Sequence, residues 1–457
     1  MTKKDGEDQG RPKSRASGRI ARYARVSTTM GGLAARLAGE RYFGFDIKRD
    51  KHAIQLTAAL GNLKGPLLKV AQLLAVIPQA LPPEYAQELQ KLQANAPPMG
   101  WPFVKRRMTA ELGPGWQERF SDFGREAAAA ASLGQVHKAV GTDGRALACK
   151  LQYPDMESAV EADLRQLKII FRIFEKYDNS ISADEIYAEI TDRLYEELDY
   201  RREARHQKLY THMLREEKNV HVPEVVDELS TGRLLTSTWL EGKGLLEFKT
   251  APQEVRDTLA MNLFRAWYVP LYHSGVIHGD PHPGNYTAQE DMSINLLDFG
   301  CVRIFPPRFV EGVIMLYRAL QKEDNDMAAA AYRNWGFENL TQELIDVLNI
   351  WARFLYNPIL EDKIRPIGEV GETVYGRDVA SKVHRELRNI GGLKVPREFV
   401  FMDRAALGMG SVFLHLQAQI NWFRVFNDLI ADFSLETLAK TQKDVLGRFD
   451  LDLPDAA

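Results

Sequence analysis

Eight consecutive residues, His278-Gly279-Asp280-Pro281-His282-Pro283-Gly284-Asn285, and a later Asp298-Phe299-Gly300 carry the chemistry most readily read from this chain. A carboxylate, a carboxamide five positions on and a second carboxylate after it form the donor set that phosphoryl transfer needs. Asp280 would orient the attacking oxygen, and Asn285 and Asp298 would hold Mg2+ on the phosphates of ATP or ADP. Either half alone is weak evidence; both, in order and properly spaced, are strong. The apolar run Ile294-Asn295-Leu296-Leu297 supplies a strand to deliver Asp298.

Those residues need a scaffold, and the upstream pattern offers one. Short strands are expected near 119–123, 135–140 and 146–151, with Asp143-Gly144 turning between the last two. Lys150 ends the third, in Leu147-Ala148-Cys149-Lys150, where protein kinases place a lysine that pairs with nucleotide phosphates and with a helix glutamate. A helical insert over 157–177 and a long helix over 182–215 follow. The latter carries Glu196, Glu197, Asp199 and Glu203; Asp199 and Glu203 are one turn apart, so at least one acid should point at Lys150. Two further strands, 224–228 and 234–239, end at the hinge Leu240-Glu241-Gly242, and the remainder reads as helical apart from the catalytic elements. Strands, hinge, then helices is the order of an α+β, two-lobed protein-kinase-like fold.

Three departures from protein kinases stand out. Gly279 replaces the arginine that grips a phosphorylated activation segment. After Gly300 the chain runs through Cys301-Val302-Arg303-Ile304-Phe305-Pro306-Pro307 straight into a helix, with no long Ser/Thr-bearing loop, so docking of a protein substrate has little support. Where a glycine-rich phosphate loop would lie, the sequence reads Ala127 to Ala131 and then Ser132-Leu133-Gly134. Each Cβ limits backbone approach to phosphate and favours helix, so Ala129, Ala130, Ala131 and Ser132 would hold a nucleotide differently.

The chain has 457 residues, 45% of them apolar and 26% charged, which suits a globular protein with two or three cores. A net charge of −3 provides no global positive field for nucleic acid. Residues 1–25 hold eight Lys or Arg against three acids, so this end could touch anionic lipid peripherally or be a solvated tail. Two cysteines, Cys149 and Cys301, favour a reducing, cytoplasmic setting; they either line the cleft or pack as small apolar groups. The longest uncharged run, Ala405 to Phe423, contains enough polar residues to read as a buried helix and not a membrane span. No secretory signal is visible, and no His/Cys spacing suggests zinc. His278 is expected to brace the catalytic loop.

Taken together, these motifs resemble the UbiB (AarF-type) family of atypical kinase-like proteins associated with ubiquinone biosynthesis, over about residues 15–310. Lys69-Val70-Ala71-Gln72 is similar to that family's K-x-G-Q motif, with Ala71 in place of glycine, and Glu197-Leu198-Asp199 is similar to its E-x-D. The resemblance implies a helical extension packed over the peptide site, Lys69 pairing with Glu197, and Glu203 partnering Lys150. It implies Mg-adenine nucleotide binding, with ATP hydrolysis or phosphoryl transfer to a small or lipid-like acceptor such as a quinone precursor. A homodimer or a complex with quinone-biosynthesis enzymes would be in keeping. The division expected is a basic segment (1–50), the extension (51–115), a small lobe (116–242) and a helical large lobe (243–457). Two other readings stay open: a small-molecule phosphotransferase of the aminoglycoside or choline kinase type, and a nucleotide-binding scaffold with little turnover.

Overall fold

The computed structural model of the chain describes residues 98–131, 133–175, 183–367 and 396–454, with Val379, Lys382, Val383, Glu386 and Leu387 between the last two stretches. Lys69, Gln72 and Ser132, the basic segment and residues 51–97 of the expected extension lie outside the described residues. The described residues divide into two compact units, one of Pro98–Pro154 with Glu196 onward, the other the described part of Asp155–Tyr195.

The first unit opens with α1 (Trp101–Leu112), which has proline in its first turn. An antiparallel sheet follows: β1 (Phe120–Phe123), β2 (Ala129–Ala131), β3 (Gly134–Gly141) and β4 (Ala146–Gln152). Sequence propensity alone would make the alanine run helical. Instead Ala129 and Ala131 pair with Val136 and Gly134, so ladder hydrogen bonds override a weak local preference. The smaller unit consists of α2 (Met156–Glu175) and most of α3 (Ala183–Leu198). On α2, Val160, Leu164 and Leu167 are buried at helical spacing.

The long helix expected over 182–215 is two helices. Asp199 leaves helical geometry and its carboxylate accepts hydrogen bonds from Arg201 N and Arg202 N, capping the new helix α4 (Tyr200–Met213). Beyond it, β5 (Val220–His221) belongs to a second sheet, and the strand expected at 224–228 reduces to one bridge, Val225 to Ser237, before the chain turns through Asp227–Leu229. Then β6 (Leu234–Thr238) completes the first sheet beside β4.

After β7 (Lys243–Gly244), the helix α5 (Gln253–Ser274) buries residues on every side, among them Leu259, Leu263, Trp267 and Leu271, as the central helix of a large core must. It ends at Gly275, in the left-handed region with φ 67°, where a Cβ would stand 2.2 Å from Gln442 Nε2. Four short strands follow: β8 (Val276–His278), β9 (Tyr286–Ala288), β10 (Ile294–Leu296) and β11 (Val302–Ile304). Antiparallel pairing of β8 with β11, and of β9 with β10, brings the loop 279–285 beside residues 297–301. Helices α6 (Pro307–Lys322), α7 (Asn325–Asn334), α8 (Gln342–Leu360), α9 (Arg397–Leu416), α10 (Trp422–Ile430) and α11 (Leu435–Arg448) complete the unit. The run from Ala405 is thus split, because Gln417 turns left-handed after α9, with Met409, Val412 and Phe413 buried.

Candidate active site

Strand alternation decides where Lys150 points. On β4, Leu147, Cys149 and Leu151 enter the core formed with Val104 and Met108 of α1, which leaves Lys150 on the other face. Its Nζ donates to Glu203 Oε1 at 2.6 Å and Asp298 Oδ2 at 3.1 Å, over the Tyr200 ring. Glu203 comes from the first turn of α4, which is tied to β6 by the Gln207 amide donating to Ser237 Oγ. Three residues far apart in sequence therefore share one node.

Asp298 is held by its neighbours on both sides. Leu297 N donates to Asn285 O, Gly300 N donates to Asp298 Oδ1, and the His278 ring donates through Nε2 to Asp298 O while its Nδ1 accepts from Asp280 N. Phe299 is fully buried against Tyr210 and His278, and its carbonyl accepts from His206 Nδ1. In the loop, Asn285 Nδ2 donates to both the carbonyl and the carboxylate of Asp280, at 3.2 Å each, which turns Asn285 Oδ1 the other way. His282 accepts from Gly284 N, a local turn bond.

Charge at the node is set by burial against mutual attraction. Burial disfavours the Lys150 ammonium, yet Asp298 and Glu203 raise it well above the usual lysine range. Burial likewise opposes the Asp298 carboxylate, but Lys150 and the Gly300 N–H hold it far below the ordinary value. Glu203, whose side chain is only 4% exposed, is pushed up to about 7, because burial and the Asp298 charge outweigh attraction to Lys150.

The other expected site residues fall elsewhere. The exposed carboxylate of Asp199 caps α4. Glu197 lies near enough for its charge to raise Glu203 and Tyr200. Glu196 ion-pairs with Arg202 and Arg303. Ala129, Ala130 and Ala131 lie on β2 in front of Gly134, where a Cβ would stand 2.3 Å from Leu151 O and 2.8 Å from the Tyr200 hydroxyl.

Sequence reasoning missed several supports. The Gln135 amide accepts from Met99 N and donates to Met99 O and to His137 Nε2, while His137 Nδ1 donates to Gly124 O. Gly408 on α9 sits so close to the loop that a Cβ would be 2.1 Å from Pro281 Cγ. Nothing in the local sequence signals either contact, since each joins segments whose approach only the fold decides.

A sheet-bearing lobe and a helical lobe joined through 240–242, with lysine, glutamate and aspartate meeting at one point, define a kinase-like fold. Residues 91–332 match the ABC1 atypical kinase-like domain, and the chain belongs to that family. It is similar to the Saccharomyces cerevisiae Atypical kinase COQ8, mitochondrial, at 30% identity over 60% of this chain and 54% of that protein. It is similar also to the Caenorhabditis elegans Atypical kinase coq-8, mitochondrial, at 28% identity over 70% of this chain and 45% of that one. The chain spans about half the length of the curated relatives it matches. Among solved structures, the complex of Rv3197 with erythromycin from Mycobacterium tuberculosis resembles it with a TM-score of 0.60 and 27% identity, over 83% of this chain and 96% of that one.

Proposed function

We propose that this chain binds Mg-ATP or Mg-ADP between its sheet and its helical lobe and acts as an atypical kinase or ATPase. It hydrolyses ATP or passes the terminal phosphoryl group to a small or lipid-like acceptor in support of prenyl-quinone synthesis. The observation that carries this reading is the convergence of Lys150, Glu203 and Asp298 beside the Asp280–Asn285 loop. In this reading Lys150 contacts phosphate, Glu203 keeps it in place, and Asp280 orients the acceptor hydroxyl or water. Catalysis then consists of positioning and electrostatics, with no covalent enzyme intermediate.

The donor set fits magnesium. Asp298 offers a carboxylate that stays ionised and is 37% exposed, and Asn285 offers a carbonyl oxygen left unused by its bonds to Asp280. Among the described residues no cluster of three or more His, Cys, Asp or Glu builds an all-protein metal cage. An ion held by two side chains and the nucleotide itself suits magnesium's habit, and when bound it neutralises phosphate charge. The mitochondrial atypical kinases named COQ8 and coq-8 among its relatives are in keeping with the quinone assignment, and family membership leaves the aminoglycoside-kinase reading without support.

Asp298→Asn tests the metal role. Saturating Mg-ATP at about 100 times its Kd should raise wild-type stability by about 2.7 kcal/mol. In the variant that stabilisation should vanish in a thermal melt. A variant stabilised as much as the wild type would refute the assignment of Asp298.

A further inference from the structure

At Lys150 a cation lies between two acids, one from the first turn of α4 and one from the segment ahead of β11. The same two stretches meet a second time at Glu196, where an acid lies between two cations. Arg202 Nη2 is 3.1 Å from Glu196 Oε1, and Arg303 Nη1 is 3.2 Å from Glu196 Oε2. Arg202 immediately precedes Glu203 on α4, and Arg303 lies on β11, a few residues past Asp298. The three side chains are 23%, 24% and 10% exposed for Glu196, Arg202 and Arg303, so solvent screens them less than a surface pair.

Glycine at 279 makes room for this arrangement. A Cβ there would stand 2.8 Å from Cys301 O and 3.3 Å from Arg303 Cγ. The Arg303 guanidinium is fixed further by donating to Val302 O and to Cys301 Sγ. The residue that in sequence reads as a lost cation therefore clears a path for a cation from the neighbouring strand. Only β11, Phe305 and Pro306 separate Cys301 from α6, so no Ser/Thr-bearing loop intervenes.

We propose that Glu196 is a positioning residue for the nucleotide site, a built-in anion that clasps α4 to the Asp298 segment. It does the job that a phosphorylated side chain does where an activation loop exists. The clasp bonds to Arg202 and Arg303, so it acts on Lys150, Glu203 and Asp298 through the segments that carry them. This inference rests on the nucleotide reading above.

The test is binding of the fluorescent analogue MANT-ATP with MgCl2. Glu196→Ala leaves two arginines facing a gap of carboxylate size. Its affinity should fall by about tenfold or more, a loss of ~1.4 kcal/mol, and millimolar acetate should restore affinity in the variant while leaving the wild type unchanged. A purely structural defect would not be rescued, so loss without acetate rescue overturns the clasp, as does unchanged affinity. If Glu196→Ala yields no folded protein, Glu196→Gln replaces it: a loss of similar size supports the clasp, and wild-type affinity overturns it. A wild-type protein that fails to bind MANT-ATP would instead sink the nucleotide reading.

Discussion

Lys150 stands between an acid that stays ionised and an acid pushed up to about 7, and this asymmetry has a measurable consequence. Glu203 is pushed up to about 7 in the folded chain from an ordinary glutamate value, so the native state holds its proton more tightly than the unfolded one. Its contribution to stability is full below the unfolded pKa and is lost as pH rises through the folded one. Lys150→Met removes the charge that opposes this shift, moving the end of that window above 7. We therefore expect Lys150→Met to lose stability relative to wild type between pH 6 and 8, with a limiting slope of about 1.4 kcal/mol per pH unit. Denaturant melts at the two pH values check it; an unchanged difference would mean that Glu203 does not depend on Lys150. That Lys150 would meet Asp298, and Asp280 would lie beside Asn285, was legible from type and spacing. The partner of Glu196 was not, because a carboxylate on a charged helix gives no sign that an arginine on a distant strand will face it.

At the scale of elements, the strands 119–123, 135–140, 146–151 and 234–239 followed from alternation and turn residues, the one at 224–228 shrank to a bridge, and three stretches departed from their local propensity for one physical reason. The alanine run became β2 because β3 offered it a ladder, the long helix broke because Asp199 captured the first N–H groups of α4, and the run from Ala405 broke at a left-handed Gln417. In each case a specific backbone partner or dihedral outweighed propensities worth less than about 1 kcal/mol per residue. Contacts between α9 and the loop 279–285 give the sharpest element-level prediction. Gly408→Ala drives a methyl into Pro281 and should cost ~1–3 kcal/mol by overpacking, with turnover reduced as the loop shifts. Gly410→Ala on the same helix meets nothing within 4 Å and should stabilise by about 0.5–1 kcal/mol. Equal melting temperatures for the two variants would contradict the tight packing of α9 on the loop.

On the whole-molecule scale, none of the described helices is long and apolar enough to cross a membrane, and the net charge is slightly negative although residues 1–25 are basic. If that end meets anionic lipid, Mg-ATP turnover should rise with phosphatidylserine vesicles, further with a phenolic quinone precursor, and the rise should shrink as salt screens the contact. Turnover indifferent to both additions would count against a lipid-like acceptor. Fold class and family were legible over the lobes, but acceptor and partners were not, because motifs that grip phosphate are silent about what receives it. The two cysteines offer a way in. Cys149 lies fully inside the core with its thiol pushed up to about 12 by burial, whereas Cys301 is partly exposed beside the Asp298 segment. A maleimide dye would therefore mark one position without any engineering of the chain, giving an optical reporter beside Gly279 and Arg303.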